Sequence, residues 1–326
     1  MDILIILLGL AVGFILLVKG ADVMVKSAVQ IAVKLNIPQS IIGATFIGFG
    51  TSAPELFAST GAALNGNLSL GIGNIIGSNI ANSLLVVAVL YLFIDKSYNK
   101  KIKLNPTSSF WMMIVTTVFV SSYMLINEFP LVLGVTLLVL VCAITYKLVN
   151  EEAIDEEEYL DEVIANVWPK ALLSLIATIY GSSLVVDNAI QLAELFGISS
   201  IVIGVTVVAL GTSLPEVAGT ISAARLKKPD LVFGNIFGSN LFNIGLVGGA
   251  SIIIQPGNIE SDVTIQMFMM YFISLVVIII SGSTVKRSPL VGYSMLAAYA
   301  LFIVLSLIHI SEPTRPLYIS YAVFCL

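Results

Sequence analysis

Glu55 and Glu216 are the residues on which the chemistry of this chain turns. Each closes the same short polar sequence, Gly50-Thr51-Ser52-Ala53-Pro54-Glu55 and Gly211-Thr212-Ser213-Leu214-Pro215-Glu216. Gly43-Ala44-Thr45 precedes the first copy and Gly204-Val205-Thr206 the second. Gly73-Asn74-Ile75-Ile76-Gly77-Ser78-Asn79-Ile80-Ala81-Asn82 follows the first, and Gly234-Asn235-Ile236-Phe237-Gly238-Ser239-Asn240-Leu241-Phe242-Asn243 the second. The offset is 161 residues throughout, from Glu55 to Glu216 as from Asn82 to Asn243, with no gap. The flanking residues are apolar, and an ionisable side chain inside a membrane segment is costly and functional by default. A carboxylate kept in each copy implies a cation pathway. The competing reading, a protonated carboxyl that merely packs, does not explain the duplication.

The neighbours of each Glu supply oxygen. Pro54 lacks an N–H and crowds the carbonyl of Gly50, and Pro215 does the same to Gly211, so each motif is expected to bend its helix and free backbone oxygen. Thr51 and Glu55, like Thr212 and Glu216, are four apart and share a helix face. Asn74, Ser78 and Asn82 form one stripe, and Asn235, Ser239 and Asn243 another. Gly73 with Gly77, and Gly234 with Gly238, allow close helix approach. Asn74, Asn79, Asn235 and Asn240 suit helix packing as well as an ion site; Ser78, Asn82, Ser239 and Asn243 favour the site. Two carboxylates among hydroxyls, amides and carbonyls suit a hard cation such as Ca²⁺, with Na⁺ using subsets of the same ligands. Cys142 and Cys325 form no metal-spacing pattern, and His309 is the only histidine, so zinc and proton-relay histidine chemistry are not expected.

These side chains need helices long enough to hold them at membrane depth. The 326 residues are 58% hydrophobic and 11% charged, with mean hydropathy +1.02, against about 25% charged in soluble domains. An all-α integral membrane protein follows. The net charge of −5 is a local matter, since eight of the 20 acidic residues lie between Glu151 and Glu162. Asp2 replaces a basic n-region, so the first 20 residues read as a membrane helix and not a signal peptide. Apolar runs of sufficient length predict ten transmembrane helices, over roughly 3–33, 40–64, 70–94, 108–127, 129–149, 167–195, 200–224, 230–254, 263–283 and 288–308. With the N-terminus outside, Lys34, Lys96, Lys100, Lys101, Lys103, Lys147, Lys170, Arg225, Lys227, Lys228, Lys286 and Arg287 fall at the cytoplasmic ends, while Glu128, Glu194, Asn258, Glu260 and Asp262 fall outside. Five helices per copy make a direct repeat in sequence an inverted repeat in the membrane, with the site where the halves meet. The expected organisation is a first five-helix repeat, 1–149, with motifs over 43–86. An acidic cytoplasmic linker, 150–166, leads to a second repeat, 167–308, with motifs over 204–247. Residues 309–326 resemble a translated adapter scar and stand outside the fold, a native short tail being the alternative. The linker lacks the Gly turn and alternating ligands of an EF-hand loop and reads as a solvated connection. Asp22 and Asp187 are expected to face a cytoplasmic aqueous entrance.

The paired motifs, the helix count and the orientation, over residues 1–308, resemble the sodium/calcium exchanger family of the cation/calcium antiporter superfamily, prokaryotic type. The resemblance implies alternating-access antiport of Na⁺ against Ca²⁺ across the cell membrane. By position it implies Glu55 and Glu216 as shared ligands of both ions. Thr51, Ser52, Thr212 and Ser213 become hydroxyl or carbonyl donors, with backbone oxygens of Gly48 and Ala209. Ser78 and Ser239 become Na⁺ ligands, with Asn82 and Asn243 lining the centre. It also implies that the first and sixth helices slide to switch access, each with a matched glycine, Gly20 and Gly181. Asn243 stands where several relatives of that family have Asp, which argues against potassium cotransport and leaves the stoichiometry open. Ca²⁺/H⁺ exchange is the alternative and a cation channel a remoter one. An intramembrane hydrolase at Ser52 or Ser213 lacks a His or Lys base in a matching span, so no enzyme is expected. No cofactor and no nucleic acid are expected; the partners are the two ions and the bilayer, and the chain is expected to act as a monomer.

Overall fold

Hydrocarbon offers the backbone no hydrogen-bond partner, so an apolar run of membrane length closes its bonds within a helix. The computed structural model describes residues 3–95, 97–101, 106–150, 164–196, 209–259, 263–282, 284–286 and 288–311. Within them lie α1 (Ile3–Leu35), α2 (Gln39–Thr51), α3 (Ala53–Leu64), α4 (Leu68–Phe93), α5 (Pro106–Ile126) and α6 (Leu131–Val149). There follow α7 (Val167–Leu195), α8 (Ala209–Thr212), α9 (Leu214–Arg225), α10 (Pro229–Ile254), α11 (Thr264–Ser281) and α12 (Pro289–Ser311). Among the described residues seven helices are long and apolar enough to cross a membrane, or eight when α2 and α3 count as one span. The protein is an all-α membrane protein. The span expected over 40–64 is broken at Ser52, where α2 and α3 meet at 46°.

Burial sorts the helices into a centre and a rim. In α4 and α10, 89% and 83% of the most apolar window is buried, against 22% to 39% in α1, α5, α6, α7 and α11. The rim helices turn apolar side chains such as Leu4, Leu125, Val132 and Ile279 outward, as a bilayer requires. α4 and α10 are the two helices that carry the Gly-Asn-x-x-Gly-Ser-Asn sequences, so the polar stripes lie in the middle of the molecule.

α1 and α7 pack antiparallel, because Gly9 meets Asn188, Gly13 meets Val185 and Gly20 meets Thr178. Glycine makes the approach possible: a Cβ on Gly181 would lie 2.5 Å from the backbone N of Leu17 and 2.8 Å from the carbonyl of Gly13. This register corrects one expectation. Asp187 lies level with Gly9 and Asp22 just beyond Gly20, near the middle of α1, so the two aspartates are about 18 Å apart along the pair and not level, as a shared entrance would require.

Contacts between turns divide the ends of the bundle into two sets. At one end, β1 (Asn99–Lys101) pairs antiparallel with β2 (Thr284–Lys286), Lys227 lies 3.8 Å from Asp95, and the Ile164 N–H donates to Gln30. The Lys147 ammonium sits 5.0 Å above the Trp111 ring at the same end. At the other, Phe129 bridges Gly257 and Gln255 donates to the carbonyl of Gly66. The acidic linker over 151–163, the Gly204-Val205-Thr206 sequence, Glu260, Asp262 and the tail beyond Ser311 lie outside the described residues. α12 continues through Ser311, so residues 309–311, expected to stand apart from the fold, extend its last helix.

Candidate cation site

The two Gly-Thr-Ser-x-Pro-Glu sequences fold alike. α3 starts after Ser52 (φ −80°, ψ 2°) and α9 after Ser213 (φ −88°, ψ 1°), with Pro54 and Pro215 in the first turn. A first turn is where the missing N–H of proline costs nothing. The same turn carries Glu55 in α3 and Glu216 in α9. The positive end of a helix dipole favours a carboxylate there. Neither serine spends its hydroxyl on capping its helix. Each motif therefore ends one helix and starts another at its serine, and at Ser52 the chain bends as the sequence predicts.

Glu55 and Glu216 are each 1% exposed. They come from different motifs and lie within range of each other's charge. The Glu55 carboxyl lies beside the Ser78 hydroxyl, and Glu216 beside Thr51 of the other motif. Neither contact reaches hydrogen-bonding geometry: among the described residues, Glu55 Oε2, both oxygens of Glu216, Ser78 Oγ, Ser52 Oγ and Thr212 Oγ1 have no hydrogen-bond partner. The same is true of the Asn243 carbonyl oxygen and both amide atoms of Asn82. Buried polar atoms are normally bonded, so unpartnered oxygen on both carboxylates, and on the hydroxyl beside Glu55, marks a place built for something to bind.

Thr51, Ser52, Ser78, Asn82, Ser213, Ser239, Asn243 and the backbone of Gly48 are all buried, with Ser78 and Thr51 beside the carboxylates and Ser239 beside Thr51. Thr212 is half-buried, and Ala209 opens α8. The helices approach so closely that a Cβ on Gly48 would lie 2.8 Å from the Ser239 backbone N. Thr51 donates to the Ile47 carbonyl at 3.0 Å and lies 3.4 Å from Ser239 Oγ. Ser239 lies within 3.3 Å of the Gly48 carbonyl and 3.4 Å of Asn235 Oδ1. Asparagines also bond between helices: Asn240 donates to Ser83 at 3.0 Å and Asn79 to Met270 Sδ, while Asn243, through its amide nitrogen, donates to Asn79.

Two features escaped the sequence reading. α4 and α10 change from α to π winding at Asn82–Val86 and Asn243–Gly248, starting at the two matched asparagines. A π turn widens the helix and is frequent at functional sites. The second is a hydroxyl one turn beyond each Glu, Ser59 and Thr220; the Asn74 amide donates to Ser59 at 2.8 Å. The offset of 161 residues points to that pair, but a Ser-to-Thr change hides it from a search for identical residues.

Two carboxylates repel when both are ionised, and a cation between them removes the repulsion. The site's donors are oxygen, the set that hard cations take.

The sequence pattern described as Sodium/calcium exchanger protein matches residues 5–149 and 168–308. CaxA of Alkalimonas amylolytica is 36% identical over 264 residues, covering 77% of this chain and 81% of that protein. Sodium/calcium exchanger MaX1 of Methanosarcina acetivorans is 31% identical over 351 residues, covering 90% and 96%. A solved structure of the sodium-calcium exchanger NCX_Mj, soaked with Na⁺ and Sr²⁺, is 28% identical and covers 93% of this chain and 99% of its own, with a TM-score of 0.79.

Proposed function

The chain belongs to the sodium/calcium exchanger protein family, and from that premise we propose that it exchanges Na⁺ for Ca²⁺ across a cell membrane by alternating access. The observation that carries this reading is the buried pair Glu55 and Glu216, contributed by two motifs, with unpartnered oxygen on each. Two ionised carboxylates balance one Ca²⁺, and Thr51, Ser52, Thr212 and Ser213 with the backbone oxygens of Gly48 and Ala209 complete its shell. Ser78 and Ser239 hold Na⁺, and Asn82 and Asn243 line the centre. Because the ions share the two carboxylates, loading one expels the other, which is what coupling requires. The names of MaX1 and NCX_Mj agree with this assignment.

The architecture proposed is ten helices in two inverted five-helix repeats, 1–149 and 167–308. Its support is the antiparallel packing of α1 and α7, which are equivalent under the offset of 161 residues, and the matched breaks at Ser52 and Ser213. The two sets of turn contacts match the two sides assigned from charge. The set holding Asp95, β1, Lys147, Ile164, Lys227 and β2 is cytoplasmic, with the linker, and the set holding Gly66, Phe129 and Gly257 is outside. α1 and α7, touching backbone to backbone, are the pair that slides. The carrier works as a monomer, uses no cofactor and performs no covalent chemistry.

Purified protein in liposomes, given a Na⁺ gradient directed outward, is expected to accumulate radiolabelled Ca²⁺. Uptake that ignores sodium and follows a pH gradient would replace this reading with Ca²⁺/H⁺ exchange. Passive Ca²⁺ current independent of trans sodium would replace it with a channel.

A further inference from the structure

One hydrogen bond is made in the first half of the molecule and missing from the second. Asn74 of α4 donates to Ser59 of α3 at 2.8 Å. The offset of 161 residues carries this pair to Asn235 of α10 and Thr220 of α9. There Thr220 Oγ1 is buried and has no partner among the described residues, while the Asn235 carbonyl oxygen, a different atom of the amide, accepts from Ser239. Both residues line a small cavity of about 10 Å³, with Val25, Ile47, Gly219 and Leu231 among its other walls. That is about the room one water needs, and the lining offers a hydroxyl and an amide to bind it. Leaving the Thr220 hydroxyl dry would forfeit its full desolvation cost.

The asymmetry extends one turn toward the carboxylates. Ser239 is engaged by Thr51 and Gly48 across the halves, whereas Ser78 and Thr212, which would make the mirrored contact, are both unpartnered. The side that has closed against the opposite motif is the side whose Asn is drawn away from its own hydroxyl. We propose that the Thr220–Asn235 cavity is a hydration site, occupied by one water in this conformation, and that the carrier's other conformation expels this water. A direct Thr220–Asn235 hydrogen bond forms there while the Ser59–Asn74 bond opens and is hydrated in turn. This exchange of roles rests on the alternating-access reading, but its test reads conformers and not flux, so the two can fail separately.

In protein with Cys142 and Cys325 replaced by Ser, spin labels at Lys34→Cys and Arg225→Cys would report the populations of two conformers as two distances, in lipid and without transported ions. One net hydrogen bond changes a two-state ratio about five-fold. Ser59→Ala should move the ratio about five-fold away from the conformer described here, and Thr220→Ala about five-fold toward it. A purely structural role would shift both variants the same way, and that result overturns the proposal. So does a ratio that neither variant changes, or a single distance in every variant. A high-resolution structure of this conformation with the cavity dry would contradict the hydration site even if Ser59→Ala failed to fold.

Discussion

The Gly50–Glu55 and Gly211–Glu216 sequences agree in residue type and local backbone, yet their hydroxyls live in different surroundings. Thr51 is fully buried, bonded to Ile47 and in contact with Ser239. Thr212 is half-buried, and its hydroxyl is unpartnered. Residue type decides which atoms can serve the site; packing between the halves decides which of them are engaged in a given conformation. In the alternating-access antiport proposed above, that separation would let the same donors be closed on one side while they are open on the other.

The carboxylates are where the halves should behave alike. Glu55→Gln and Glu216→Gln are each expected to abolish Na⁺-driven Ca²⁺ uptake, since either change leaves one charge against a divalent ion. If one variant kept substantial flux, the site would be lopsided and the equivalence of the motifs would fail. The matched glycines should differ. A Cβ on Gly181 meets the Leu17 backbone at 2.5 Å, whereas one on Gly20 meets the Thr178 hydroxyl at 2.7 Å. Gly181→Ala should cost about 1–3 kcal/mol, because only backbone can give way, and Gly20→Ala somewhat less, because the backbone it meets, Thr178 N at 2.9 Å and the Ser174 carbonyl at 3.0 Å, lies farther off. Thermal unfolding in detergent would rank them, and equal costs would mean the pair is not gripped asymmetrically.

Smaller still is the contrast between the threonines. Thr51→Val removes a buried, bonded hydroxyl and should destabilise ion-free protein by about 1 kcal/mol, while Thr212→Val should change it by less than about 0.5 kcal/mol. Equal shifts in the unfolding midpoint would erase the difference drawn above. The least effect belongs to Asp95, whose carboxyl is held below its usual range by the Ser97 hydroxyl and N–H and then by Lys227. A depressed carboxyl contributes stability above its ordinary titration range, near 3.9, and loses it as pH falls through its folded value. The small difference in unfolding midpoint between wild type and Asp95→Asn should therefore hold steady from pH 6 to 8 and shrink only below about pH 4; a difference that grew with acid would contradict the assignment.

Much of this was legible in the residues. Glu55 and Glu216 were identifiable because carboxylates in apolar sequence are rare, and the helix breaks because Pro54 and Pro215 cannot sit inside a straight helix. Helix limits followed from the length of the apolar runs. What one-dimensional pattern cannot carry is register between distant elements. Asp22 and Asp187 were therefore placed together although the antiparallel packing of α1 and α7 separates them. The π turns at Asn82 and Asn243 were not visible either, since an added residue in a turn has no side-chain signature. A bend at Ser52 is legible from Pro54, but its 46° angle is not, nor is the close packing of α3 on α4, where a Cβ on Gly71 would lie 3.0 Å from the Ser59 carbonyl.

Equilibrium binding of radiolabelled Ca²⁺ to the purified protein, in the absence of Na⁺ and then with Na⁺ titrated in, examines the paired carboxylates without any vesicle. One Ca²⁺ per chain is expected, displaced as Na⁺ rises, with binding lost in both Glu55→Gln and Glu216→Gln. Calcium held with undiminished affinity by either variant, or held in a ratio that sodium cannot alter, would contradict a single site shared by both ions.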